Sequence, residues 1–91
     1  SSEFPVVVDF WAEWCMPCKA MESVIDIMQS KYGDRIVFGR LNVDETRSIA
    51  NRYEVFGIPT LILFQGGVER ERIVGVISPR RLGETLTPYI S

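Results

Sequence analysis

Histidine is absent from this 91-residue chain, lysine occurs only at Lys19 and Lys31, and cysteine occurs only at Cys15 and Cys18. With no histidine and no third cysteine, one chain cannot build the closed tetrahedral site of a structural zinc ion. Covalent haem attachment needs histidine after the second cysteine of a Cys-X-X-Cys pair, and that residue is Lys19. The net charge is −2 and no basic run or stripe is present, so no nucleic-acid partner is expected. No apolar run approaches the ~20 residues of a membrane helix. The longest, Pro5 to Val8 and Thr60 to Phe64, are strand-sized, and no membrane association is expected. Ser1 to Phe4 carries no basic region and Asp9 interrupts the apolar run that follows. No secretory leader is therefore read, and a cytoplasmic setting is expected. A secreted scaffold held by disulfides would also scatter more cysteines than one close pair.

What is present suits one small domain, 1–91. Nearly half the residues are apolar, 46%, enough to fill a single core. Pro5 to Phe10 is a β-branched run that reads as a strand buried on both faces. From Cys15 to Tyr32 the spacing is helical: Met21, Val24, Ile25, Met28 and Tyr32 recur at steps of three and four. Gly33 follows at the position of a helix cap. Arg35 to Val43 reads as a second strand. Asp44 or Thr46 is placed to cap a short helix holding Ile49, Ala50 and Tyr53. After the break at Gly57-Ile58-Pro59, Thr60 to Phe64 and Val68 to Val76 read as an antiparallel hairpin turning at Gly66-Gly67. Ser78-Pro79 opens a last helix, with Pro88 at its end. The order β-α-β-α-β-β-α predicts an α/β fold, a mixed four-stranded sheet with helices on both faces.

Trp14-Cys15-Met16-Pro17-Cys18 lies between the first strand and the first helix. A helix start offers unpaired N–H groups and partial positive charge, which favours the thiolate, the reactive form of cysteine. Cys15 is the expected nucleophile there. Cys18, three residues on, shares its helical face, so the two can close a disulfide within one turn. Pro17 suits the first turn, where no N–H bond is lost. A purely structural disulfide across so short a loop would remove little unfolded-state entropy. A two-sulfur copper(I) site is compatible with two soft ligands. Thiol–disulfide exchange is the reading that the strand–turn–helix setting supports directly.

Val8-Asp9-Phe10-Trp11-Ala12-Glu13-Trp14-Cys15-Met16-Pro17-Cys18-Lys19, then Leu41-Asn42-Val43-Asp44, then Gly57-Ile58-Pro59-Thr60 resemble the thioredoxin family. Phe64 with Gly67, and Val74-Gly75, match more weakly. The resemblance implies a thioredoxin-like fold and the reduction of disulfides in partner proteins. Cys15 would attack and Cys18, the more buried, would resolve the mixed disulfide. No bound cofactor is implied beyond the redox-active disulfide Cys15–Cys18, and a thioredoxin reductase would recharge the pair. Disulfide oxidation or isomerisation, or a partner-binding or thiolate metal-binding module of the same fold, are the alternatives.

Asp9 has two readings. From the residues alone it sits at a strand end near water, or it is buried at a cost. The resemblance implies the second, with Asp9 beneath Cys18, its pKa raised, accepting the Cys18 proton. Arg40 occupies the position where the family has lysine, and arginine cannot give up its charge. The Ile58–Pro59 bond is read from sequence as an ordinary trans turn. The resemblance implies instead a cis bond against the disulfide, freeing the backbone of Ile58 to pair with an extended partner segment. Trp14, Met16, Pro17, Ile58, Val74, Gly75 and Val76 are expected to form an apolar docking rim around Cys15. Phe10 and Trp11 are expected in the core from the residues, while the resemblance implies that Trp11 packs near the site.

The pattern departs from the family at three further places. Met16 replaces the usual glycine between the sulfurs, which bears on the direction of exchange. Ser23 replaces a proline that often kinks the long helix. Only Ser1 to Phe4 precede the first strand, so the fold is expected to lack the family's usual first strand and helix. That would leave Arg35 to Val43 as an exposed edge and a monomer open to edge-strand dimerisation.

Overall fold

The computed structural model describes residues 4–90. Ser1 to Glu3, read above for a leader, lie outside the described residues. Four strands and three helices follow in the order β1 (Val6–Trp11), α1 (Met16–Tyr32), β2 (Val37–Asn42), α2 (Arg47–Arg52), β3 (Thr60–Gln65), β4 (Val68–Val74) and α3 (Pro79–Leu86). A short 3₁₀ turn, Thr87–Tyr89, takes Pro88 inside it.

The sheet order is β2-β1-β3-β4. β1 pairs parallel with β2 and antiparallel with β3, and β3 pairs antiparallel with β4. This is the mixed sheet read from the alternation of elements. Its hairpin turns at Gly66-Gly67, where φ is 61° and 77°. Two consecutive residues in that region suit a tight hairpin and strongly favour glycine. β2 is an edge strand, two residues shorter at its start than the apolar run suggested and one shorter at its end.

β1 is central, and its alternation decides what each face carries. Val7 faces α1 and α3 in a core that includes Met21, Ile25, Met28, Ile36, Leu61, Leu63, Leu82 and Leu86. Phe10 faces α2 in a second cluster with Ala50, Val55 and Ile62. Helices therefore cover both faces, unequally. α2 has six residues and leaves an open apolar groove of about 430 Å3 beside Val6, Val8, Leu41 and Phe64. Arg72 of β4 ties down the end of α2. Its guanidinium donates to the carbonyls of Tyr53 (2.7 Å) and Glu54 (3.1 Å), carbonyls at a helix C-terminus that would otherwise lack partners.

Met21 is the keystone of the larger core. It is fully buried, and its sulfur also accepts the N–H of Ile77 at 3.4 Å. Met21→Ala is expected to cost about 2–5 kcal/mol, and Met21→Leu, which keeps the volume, less than about 1.5 kcal/mol. Urea unfolding of the two variants measures the difference.

Candidate active site

Cys15 is the N-cap residue of α1, in extended conformation, and Pro17 lies in the first turn. Its sulfur accepts the backbone N–H of Cys18 at 3.2 Å, which satisfies one of the four free donors of the helix start. Cys15 and Cys18 form a disulfide with Cα atoms 5.3 Å apart. Cys18 is the more buried of the two, as expected, but only by a small margin in this oxidised form. The two residues are 3% and 2% exposed, because both sulfurs pack with Ala12 against Trp11, Val43 and Ile58. Position at the cap, not burial, distinguishes them. Trp11 is accordingly no core residue. It is half-buried, sits against the sulfur cluster, and carries the Arg40 guanidinium 4.4 Å above its ring.

Asp9 is 0% exposed, so the strand end offers it no water. Alternation puts it on the same face of β1 as Val7, beneath α1, whose buried residues begin at Cys18. Across the sheet it faces Arg40 on β2 and Leu61 on β3. Neither carboxyl oxygen accepts a hydrogen bond among the described residues. Its nearest charge partner is Arg40, with Nε 3.5 Å from Oδ2. Burial pushes the Asp9 carboxyl above its ordinary value; the Arg40 charge opposes this and Glu22 adds to it weakly. A polar cleft of about 250 Å3, lined by Glu13, Cys18, Lys19, Glu22 and Arg40 among others, reaches Cys18 from solvent.

The Ile58–Pro59 bond is cis, not the trans turn that the residues alone suggested. The carbonyl of Pro59 accepts the N–H of Gly75 at 2.8 Å, and the Thr60 hydroxyl donates to the carbonyl of Gly57. Gly75 has φ of 96°, a region that L side chains rarely adopt, so glycine is needed where the chain leaves β4. Of the expected rim, Trp14, Met16, Pro17, Val74 and Val76 are exposed, and Ile58 and Gly75 are half-buried. A Cβ on Gly57 would touch Val74 at 3.5 Å, so the Ile58 turn and the end of β4 are neighbours.

Three contributors escaped the sequence reading. Asp44 does not cap α2; its carboxylate accepts the indole N–H of Trp14 at 2.9 Å. Thr46 is the N-cap, without a side-chain cap bond, its hydroxyl donating instead to the carbonyl of Asn42 at 2.7 Å. Glu22 reaches Arg40, Oε2 to Nη2, at 3.5 Å. Phe56, two residues before Ile58, is exposed and adds apolar surface. An exposed aromatic beside Gly-Ile-Pro was the available signal for it; the other two depend on contacts that no local pattern encodes.

A disulfide closed across a single helical turn fastens no distant segments, yet it stands at a helix start with a backbone donor aimed at its first sulfur. The class this defines is a thiol–disulfide oxidoreductase of α/β fold, whose redox-active group is the Cys15–Cys18 pair. Among the described residues no cluster of three or more histidine, cysteine, aspartate or glutamate side chains stands ready to hold a metal ion. No helix among the described residues is long and apolar enough to cross a membrane.

Comparison with known proteins agrees with that class. The family profile "Thioredoxin" matches residues 1–88. The chain is 41% identical over 90 residues to the chloroplastic M-type thioredoxin of Spinacia oleracea, covering 99% of this chain and 50% of that protein. It is 39% identical to a thioredoxin of Synechocystis sp., covering 98% of this chain and 83% of the relative. A solved mutant thioredoxin from Halobacterium salinarum NRC-1 superposes with a TM-score of 0.91 at 32% identity, over 100% of this chain and 79% of that one. The chain thus spans half the length of the spinach protein and most of the other two. It belongs to the thioredoxin family.

Proposed function

We propose that the chain reduces disulfides in partner proteins. The observation that carries this reading is Cys15 at the cap of α1, its sulfur 3.2 Å from the Cys18 N–H. The donor and the helix dipole favour a negative sulfur at that position. In the reduced chain, the Cys15 thiolate attacks one sulfur of a substrate disulfide. The substrate S–S bond breaks, its other sulfur leaves as a thiolate and takes a proton from water, and a mixed disulfide forms. Cys18 then attacks the Cys15 sulfur, giving its proton to Asp9. The mixed disulfide breaks, the second substrate sulfur leaves, and the Cys15–Cys18 bond closes. Two electrons pass from the chain to the substrate. A thioredoxin reductase returns them.

Docking uses the apolar rim of Trp14, Met16, Pro17, Ile58, Val74, Gly75 and Val76. The Ile58 backbone beside Pro59 pairs with an extended substrate segment by strand addition. Asp44 supports the rim by fixing the Trp14 ring. A reducing compartment such as the cytoplasm suits this direction of flow. The single domain 1–91 acts as a monomer, and where two copies associate, β2, the outermost strand on its side among the described residues, is the surface that joins them.

The test is a turnover assay with a thioredoxin reductase and a disulfide-containing protein, paired with a redox titration of Cys15–Cys18. Catalytic reduction and a potential in the range of reducing dithiols are expected. A strongly oxidising potential with no turnover, Met16 having replaced glycine between the sulfurs, would assign the chain to disulfide formation instead.

A further inference from the structure

Arg40 stands between two carboxylates. Its Nε lies 3.5 Å from Asp9, whose side chain is 1% exposed, and its Nη2 lies 3.5 Å from Glu22, which is 54% exposed. One partner is dry and the other wet. The guanidinium cannot lose its charge, and it lies over the Trp11 ring, 4.4 Å from the ring centroid. What can vary is how far that charge leans toward each carboxylate. Glu22 lies one turn beyond Cys18 on α1, four residues on, so α1 presents the resolving sulfur and this carboxylate along one side.

We propose that Glu22 is a positioning residue acting through Arg40: it holds the guanidinium midway to solvent and so sets how firmly the buried Asp9 keeps a proton during turnover. The inference rests on the reading of Asp9 as the acceptor of the Cys18 proton. Without Glu22, Arg40 is free to settle inward, and a closer cation favours the ionised carboxylate. With Glu22, proton uptake by Asp9 leaves Arg40 a remaining partner, so no lone cation is stranded when Asp9 becomes neutral. The other groups around the site do not duplicate this arrangement. β3 brings uncharged Leu61 opposite Asp9. α1 brings Cys18 and Lys19, and the loop before it brings Glu13, to the wall of the same cleft; Lys19 and Glu13 make no ion pair with Asp9 or Arg40 among the described residues.

The experiment is a carboxyl-carbon NMR titration of Asp9 in the reduced full chain, in the parent, Glu22→Gln, Arg40→Gln and the double variant. Glu22→Gln is expected to lower the Asp9 midpoint by about half a pH unit, the scale of one partly exposed ion pair. Arg40→Gln is expected to raise it. In the Arg40→Gln background, Glu22→Gln is expected to move it much less. An unchanged midpoint in Glu22→Gln overturns the proposal, and so does an equal fall in both backgrounds, which would mean direct repulsion between the two carboxylates. The underlying reading fails separately: if Asp9→Asn leaves the pH profile of mixed-disulfide resolution unchanged, Asp9 is not the acceptor, whatever Glu22 does to its midpoint.

Discussion

Cys15→Ser is expected to reduce disulfide turnover to background, while Cys18→Ser stops turnover and accumulates mixed disulfides with substrate at one per chain. The asymmetry follows from the helix start. Cys15 is the cap residue whose sulfur receives the Cys18 N–H, so the favoured thiolate is at position 15. A serine there offers neither a ready anion nor a sulfur to carry electrons. With Cys15 intact and Cys18 replaced, the first exchange proceeds and the second has no attacking sulfur. Captured substrate then remains bonded until an external thiol releases it. Mass spectrometry before and after reduction counts the adducts. The two residues are almost equally buried, so access alone would predict similar behaviour for both variants. Turnover surviving in Cys15→Ser, or adducts forming on Cys18 in that variant, would reverse the assignment.

Asp9→Asn is expected to stabilise the fold at neutral pH by about 1–3 kcal/mol, the cost of keeping an ionised group buried without hydrogen bonds, and to slow mixed-disulfide resolution on the order of a hundredfold. The pH dependence has a definite sign. Burial raises the folded-state pKa of Asp9 above its unfolded value. The folded chain therefore binds the proton more tightly, and that stabilisation is complete below the unfolded pKa. It is lost as pH rises through the folded pKa. Asparagine is neutral at every pH. The gap between variant and parent should be widest above the folded-state pKa and should close toward acid. Arg40 does not offset the gain by losing its partner, because it is part-exposed and retains Glu22. Urea unfolding from pH 4 to pH 8 measures the stability difference, and stopped-flow release from a preformed mixed disulfide measures the rate. A parent more stable than Asp9→Asn at neutral pH would show that the ion pair with Arg40 outweighs burial.

The elements were legible because each carries its own local signal. The stripe of Met21, Val24, Ile25 and Met28, with Gly33 as C-cap, marks α1. Ser78 caps α3 by accepting the Arg81 N–H, and Gly66-Gly67 marks the hairpin. Ser23 does not interrupt α1, which runs unbroken to Tyr32. The Cys-Met-Pro-Cys spacing located the redox pair by the same kind of local reasoning. What sequence did not reveal is set by register between strands far apart along the chain. Asp9 meets Arg40 because β1 and β2 pair in parallel in one register; no tight turn fixes that register, so the residues alone did not show the pair and only the resemblance placed Arg40 near the carboxylate. Trp14 and Asp44 are 30 residues apart, so Asp44 read as a candidate helix cap beside Thr46, which takes the N-cap position. Trp11 looked like core from the residues alone because large aromatics are usually packed; its ring forms part of the wall around the sulfurs, as the resemblance implied. β2 begins later than read, after Ile36, which packs into the core, and β4 ends earlier, before Gly75 turns the chain away.

The whole account depends on the two sulfurs being chemically unequal once reduced. Alkylation of the fully reduced chain by iodoacetamide across a pH series, with peptide mapping of the modified sulfur, tests this most directly. The account predicts that Cys15 is modified first and that its reaction begins well below the free-thiol pKa of about 8.5. Modification of Cys18 first, or a Cys15 profile no more acidic than that of a free thiol, would contradict it.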